Sequence, residues 1–118
     1  GKAVEEISGS SNKERYEEIL QRVNVGSEAF ETAAVLTLDE KSAKAAYKYF
    51  KERREDVSYM NRDSSEFKKG ITITTYYMAK GLEFDQVFVL GGNSENPFYK
   101  QFQYISATRA LHELYVLK

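Results

Sequence analysis

The chain has no cysteine and a single histidine among its 118 residues. Disulfide bonds and cysteine-ligated zinc or iron–sulfur centres are therefore excluded, and no metal site is expected. The lack of cysteine accords with a reducing compartment, so a cytoplasmic location is the expectation. No apolar run reaches the length of a membrane span, and the first residues lack the apolar core of a signal peptide. Net charge is also scarce: 17 Lys and Arg stand against 18 Asp and Glu, for a formal charge of −1. The overall basic footprint common in nucleic-acid binders is missing, and a local stripe would have to do that work.

Absent too are the motifs of a self-sufficient nucleotide enzyme. There is no G-x-x-x-x-G-K-[ST] phosphate cradle, no G-x-G-x-x-G turn and no nucleophile elbow. No acidic pair follows a strand in the manner of a magnesium-holding Walker-B segment. On its own residues the chain carries no complete catalytic apparatus. No internal repeat or low-complexity tract interrupts it.

What is present is a globular composition, 42% hydrophobic with nine Tyr and seven Phe. The length fits one domain over 1–118 that can bury a core without cross-links. Lys2 to Ile7 reads as a short strand, broken by Ser8 to Ser11. Ser11 and Glu14 have capping-box spacing, and Tyr16, Ile19, Leu20 and Val23 then fall on one helical face up to Asn24–Gly26. Ala33 to Leu38 reads as a buried strand. Asp39, or Thr37 with Glu40, caps a helix over Glu40–Arg53 whose inner face is Ala43, Ala46, Tyr47 and Phe50. Its Lys41, Lys44, Lys48 and Lys51 read as a solvated stripe, with a phosphate-tracking surface as the lesser reading.

Val57 to Met60 is a further short strand and Asn61 to Lys69 a polar loop. Ser8–Asn12 and this loop are the candidates for disorder. Ile71 to Thr74 alternates like a strand with unequal faces. Val87 to Leu90 is a continuous apolar run, as in a strand covered on both sides. Gly91 to Asn96 reads as a flexible connection. Pro97 suits a first helical turn, with Phe98, Phe102, Ile105 and Arg109 along one side, and Leu114 to Leu117 closes the chain as a strand. Strands alternating with helices predict an α/β fold, a three-layer, doubly wound and mostly parallel sheet.

Two segments carry charged residues beside small ones, each just ahead of apolar β-formers: Met78-Ala79-Lys80-Gly81-Leu82-Glu83-Phe84-Asp85 and Tyr104-Ile105-Ser106-Ala107-Thr108-Arg109-Ala110-Leu111-His112. About ten residues separate the strand Ile71–Thr75 from the next one, which leaves room for a single helical turn at Met78–Gly81. In a parallel sheet Glu83 and Arg109 then share one edge, because each precedes a strand. Thr75 to Tyr77 fall at the opposite edge. A carboxylate can accept hydrogen bonds from ribose hydroxyls, and a guanidinium fork suits phosphate oxygens. From the residues alone, a structural Glu83–Arg109 ion pair or two separate surface charges stand as the other reading.

The run Thr-x-x-x-Ala-Lys-Gly-Leu-Glu-Phe-Asp, followed by a buried strand, Tyr-x-x-x-Thr-Arg-Ala and a closing strand, resembles motifs V and VI of superfamily 1 helicases of the UvrD/Rep type. The resemblance implies a RecA-like C-terminal (2A) domain, with the P-loop fold but no P-loop of its own. It implies ATP with Mg2+ bound jointly with a P-loop (1A) domain of the same polypeptide, and single-stranded DNA as the track. Arg109 then matches the arginine that reaches the γ-phosphate, and Glu83 the acid that holds the ribose. Gly81 matches the glycine where the backbone turns close to the nucleotide, and Lys80 a motif position with a helix-end or phosphate contact. Thr75 and Tyr77 match the single-strand side of motif V.

Three departures stand out. UvrD and Rep carry a His at the position of Tyr77. The glutamates that precede motif VI give way to Phe98-Tyr99-Lys100-Gln101. Asp56–Gly70 is too short for the large 2B insertion. The remaining pattern is similar to the helicase IV/HelD branch, some members of which act on RNA polymerase. A non-motor interaction module or RNA polymerase-remodelling module of the same fold is therefore the alternative expectation.

Overall fold

Strands and helices alternate along the chain much as the apolar spacing predicts. The structure is a computed structural model and describes residues 2–26, 29–64, 69–91 and 94–118. Parts of two expected connections, residues 65–68 of the Asn61–Lys69 loop and 92–93 of the Gly91–Asn96 segment, lie outside the described residues. The elements are β1 (Ala3–Ile7), α1 (Asn12–Arg22), β2 (Thr32–Thr37), α2 (Glu40–Lys51), β3 (Val57–Tyr59), β4 (Gly70–Thr75), β5 (Phe84–Leu90), α3 (Tyr99–Ala107) and β6 (Ala110–Leu117).

Both long helices begin where a side chain satisfies a free backbone N–H. The Ser11 hydroxyl accepts from the Glu14 N–H at 3.1 Å. The Glu14 carboxylate reaches back to the N–H and hydroxyl of Ser10, both at 2.7 Å, one residue earlier than a regular capping box. Ser10 and Ser11 are thus engaged in the helix start, and Gly9 donates to Lys118 O at 2.9 Å, against the expectation of disorder at Ser8–Asn12. Asp39, not Thr37, caps α2, accepting from the Ser42 N–H at 2.8 Å.

The six strands form one sheet in the order β1-β6-β5-β2-β4-β3, and every pairing is parallel. α1 and α2 cover one face, where Tyr16, Ile19, Ala43, Ala46 and Phe50 pack against Val35, Ile73 and Phe88. α3 and the segment between β4 and β5 cover the other, where Tyr76, Ala79 and Phe102 meet Ala34, Leu36, Val87 and Leu114. This is the three-layer, doubly wound α/β architecture the pattern predicts.

Three local expectations change. β4 does not present unequal faces; all of Gly70–Thr75 is buried. It lies between β2 and β3 with apolar layers on both sides, and threonine is tolerated there because its hydroxyl can pair with backbone, as Thr74 does with Met60 O at 2.7 Å. The β4–β5 connection holds no regular helix, only single turns in which the Lys80 and Leu82 N–H groups donate to Tyr77 O and Ala79 O at 3.4 and 3.0 Å. It is a series of tight turns that passes over β2 and plugs Tyr76 and Ala79 into the core. Finally, α3 ends at Ala107 and β6 begins at Ala110. Arg109 is therefore off the helix, not on the side shared by Phe102 and Ile105, and Pro97 lies before the helix, whose N-cap is Phe98.

Candidate functional site

Glu83 and Arg109 stand one residue ahead of β5 and β6, which are neighbours in the sheet. Phe84 is in register with Ala110, and the Phe84 N–H donates to Arg109 O at 2.9 Å. The pairing puts both residues side by side on the N-terminal edge of the sheet, as the order of elements predicts. They do not form an ion pair with one another. Among the described residues Glu83 is exposed and its carboxylate has no hydrogen-bond or ionic partner.

Arg109 is held by neutral acceptors. Its Nη1 donates to Leu82 O at 3.3 Å, and its Nε and Nη2 donate to Thr108 Oγ1 at 3.3 and 3.2 Å. The Thr108 hydroxyl in turn donates to Ile105 O at 2.7 Å, tying it to the last turn of α3. The carbonyl that receives Arg109 belongs to the turn preceding β5. That turn needs Gly81, whose φ of 84° is a left-handed value; the space beside it is open, so conformation and not crowding selects glycine. Lys80 is exposed on the same turn. Lys80, Gly81, Glu83 and Arg109 are thus brought together along one edge.

Thr75 and Tyr77 are placed apart from them, at the C-terminal edge. The six residues of β4 separate the two edges by roughly 20 Å at the usual rise per residue. Thr75 is 1% exposed, and among the described residues its hydroxyl has no hydrogen-bond partner. Tyr77 is 44% exposed and its ring meets that of buried Tyr76 edge-on at 5.6 Å.

The β2–α2 turn also opens on the C-terminal edge, where a central strand feeding a helix can cradle a phosphate. Here it cannot serve that purpose. The Asp39 carboxylate occupies the helix N-terminus, Thr37 Oγ1 is spent on Asp39 O at 2.7 Å, and Glu40 adds a second negative charge. Among the described residues there is no group of three or more side chains suited to hold a metal, and no helix is long and apolar enough to cross a membrane.

Sequence reasoning overlooked two polar residues that fix the N-terminal edge. Asp85, inside the AKGLEFD run, accepts from the Glu31 and Thr32 N–H groups at 2.9 and 3.1 Å. It also faces His112 Nε2 at 3.6 Å, and the His112 ring stacks on Phe30. Gln86 is fully buried. Its amide joins the end of α1 to β6 by accepting from Asn24 N–H at 2.7 Å and donating to Arg22 O at 3.0 Å and Glu113 at 2.8 Å. A glutamine amid an apolar strand was the available signal, since a buried amide needs partners.

The family model for the UvrD-like helicase C-terminal domain matches residues 3–118. The crystal structure of the C-terminal domain of a possible DNA helicase from Lactobacillus plantarum WCFS1 is similar, with a TM-score of 0.80 and 25% identity over 99% of this chain and 74% of that one. The C-terminal domain of the DEAD-box protein Dbp5 shares the fold at a TM-score of 0.71 and 11% identity, over 99% of this chain and 76% of that one. No curated protein sequence matches.

Proposed function

The chain belongs to the family of UvrD-like helicase C-terminal domains, and from that premise we propose that it is the C-terminal motor (2A) domain of an ATP-dependent superfamily 1 DNA helicase or translocase. It carries half of a nucleotide site. The observation that supports this best is the N-terminal edge, where Glu83 and Arg109 stand side by side without neutralising one another. A carboxylate beside a guanidinium, neither with an ionic partner among the described residues, suits a ligand with ribose hydroxyls and phosphate oxygens in one molecule. The exposed Glu83 carboxylate accepts from the ribose. Arg109 is aimed at the γ-phosphate, whose transfer to water concentrates negative charge on its oxygens.

The other half lies in a P-loop (1A) domain of the same polypeptide, which holds the phosphates and the Mg2+. The β2–α2 turn, where Asp39 fills the place a phosphate would need, supports this division. Lys80 and Gly81 shape the loop beside the nucleotide. On the opposite edge the exposed Tyr77 ring offers single-stranded DNA a stacking surface, with buried Thr75 at the end of β4 beneath it. ATP binding on one edge and strand contact on the other couple domain closure to stepping.

The purified 118-residue chain is expected to show no magnesium-dependent ATP turnover, and robust turnover would sink this reading. In the complete polypeptide, Glu83→Ala is expected to weaken nucleotide affinity by roughly ten- to a hundredfold, the loss of about one charge-assisted hydrogen bond. Fluorescent-nucleotide titration reads the change.

A further inference from the structure

We infer that Thr108 is a positioning residue for Arg109, its hydroxyl fixing which edge of the guanidinium is offered to a phosphate. The inference rests on the half-site reading above and deepens it.

A guanidinium has five N–H donors in a rigid plane. Among the described residues, three of these are used. Nε and Nη2 both donate to Thr108 Oγ1, and Nη1 donates to Leu82 O. One N–H remains on each terminal nitrogen, and such a pair suits two-point contact with phosphate oxygens. Both acceptors are neutral, so Arg109 keeps its full charge, whereas a carboxylate partner would have cancelled it. The donor–acceptor distances of 3.2 and 3.3 Å exceed the short values of strong charge-assisted bonds, about 2.7 to 2.9 Å. This hold orients the group while leaving it able to shift toward an incoming oxyanion.

Thr108 is itself anchored. Its hydroxyl proton goes to Ile105 O at 2.7 Å, so its oxygen lone pairs are directed at the arginine. Its N–H donates to Tyr104 O at 3.2 Å. The hydroxyl therefore relays the end of α3 to the guanidinium, and Leu82 O relays the Gly81 turn. Thr108 is exposed and contributes nothing to the core, so packing does not account for a hydroxyl at this position.

The test uses the complete helicase polypeptide and steady-state ATP hydrolysis with single-stranded DNA present. Thr108→Val keeps the shape and removes the hydroxyl. It is expected to lower kcat on the order of tenfold, because a reacting group is less well oriented, while KM for ATP stays within about twofold. Thr108→Ser is expected to restore most of the loss. In the Arg109→Ala background Thr108→Val should have no further effect. Thr108→Ala, read the same way, takes the place of the valine variant if that protein folds poorly. Wild-type kcat in the hydroxyl-free variant overturns the inference, provided Arg109→Ala is inactive. So does an equal loss in Thr108→Ser, or a loss that persists without Arg109. If Arg109→Ala itself turns over at the wild-type rate, the half-site reading fails, and that result is distinguishable from the others.

Discussion

Asp85 sits in the middle of the AKGLEFD run, yet its carboxylate faces neither Glu83 nor Arg109. It spans the sheet edge to receive the N–H groups of Glu31 and of Thr32, the first residue of β2, and to meet His112 on β6. Removing it deprives those partly solvated backbone donors of their acceptor, at a cost of about 0.5–1.5 kcal/mol. Asp85→Ala is therefore expected to lower stability by that amount in urea unfolding, with the fold retained. Tyr115 gives a second readout. Burial first, and then its hydrogen bond to Glu113, push its phenol from 10.0 up to about 12. The folded pKa lies above the unfolded one, so this contribution is fully present below about pH 10 and is lost as pH rises through 12. Stability measured across that window should fall, and Tyr115→Phe should flatten part of the fall. These residues also show where the sequence was silent. Asp85 meets partners 54 and 53 positions earlier, and no local spacing encodes such a pairing. Glu83 and Arg109 were legible because each stands immediately before an apolar strand, and parallel pairing does the rest.

At the scale of the element, turns carry the specificity. Gly70 opens β4 at φ 97°, and a Cβ there would lie 2.3 Å from Asp56 O. Gly81 has a similar φ but open space around it. Gly70→Ala is thus expected to cost upwards of roughly 2 kcal/mol, since strain and clash combine, and Gly81→Ala about 1 kcal/mol from backbone conformation alone. Chemical denaturation of the two variants side by side checks the order. The helices were readable because their caps and apolar faces are local. The Asp39 cap and the Ala43, Ala46, Phe50 face appear in the structure as the spacing predicts. The β4–β5 crossover was not, because residues 76–83 take their shape from what they cover. Tyr76 and Ala79 are drawn into the layer above β2 and β5, which leaves single turns there and no regular helix. α3 stops early for a similar reason: Ala110 must join the sheet beside Phe84, and Arg109 is turned out by that pairing.

For the whole molecule, the parallel sheet separates two kinds of surface. One edge gathers Lys80, Gly81, Glu83 and Arg109; the other carries Thr75, Tyr77 and an α2 N-terminus already filled by Asp39. Among the described residues neither edge gathers a complete nucleotide site, and the proposed function requires Arg109 to act upon a nucleotide that another domain holds. Its most direct test is DNA-stimulated ATP hydrolysis by the complete polypeptide with Arg109 replaced by Ala, with nucleotide affinity measured in parallel. A loss of roughly a thousandfold or more in kcat is expected, with nucleotide affinity within a few-fold of wild type. Turnover at the wild-type rate, or a loss explained wholly by weaker nucleotide binding, would contradict the proposed function.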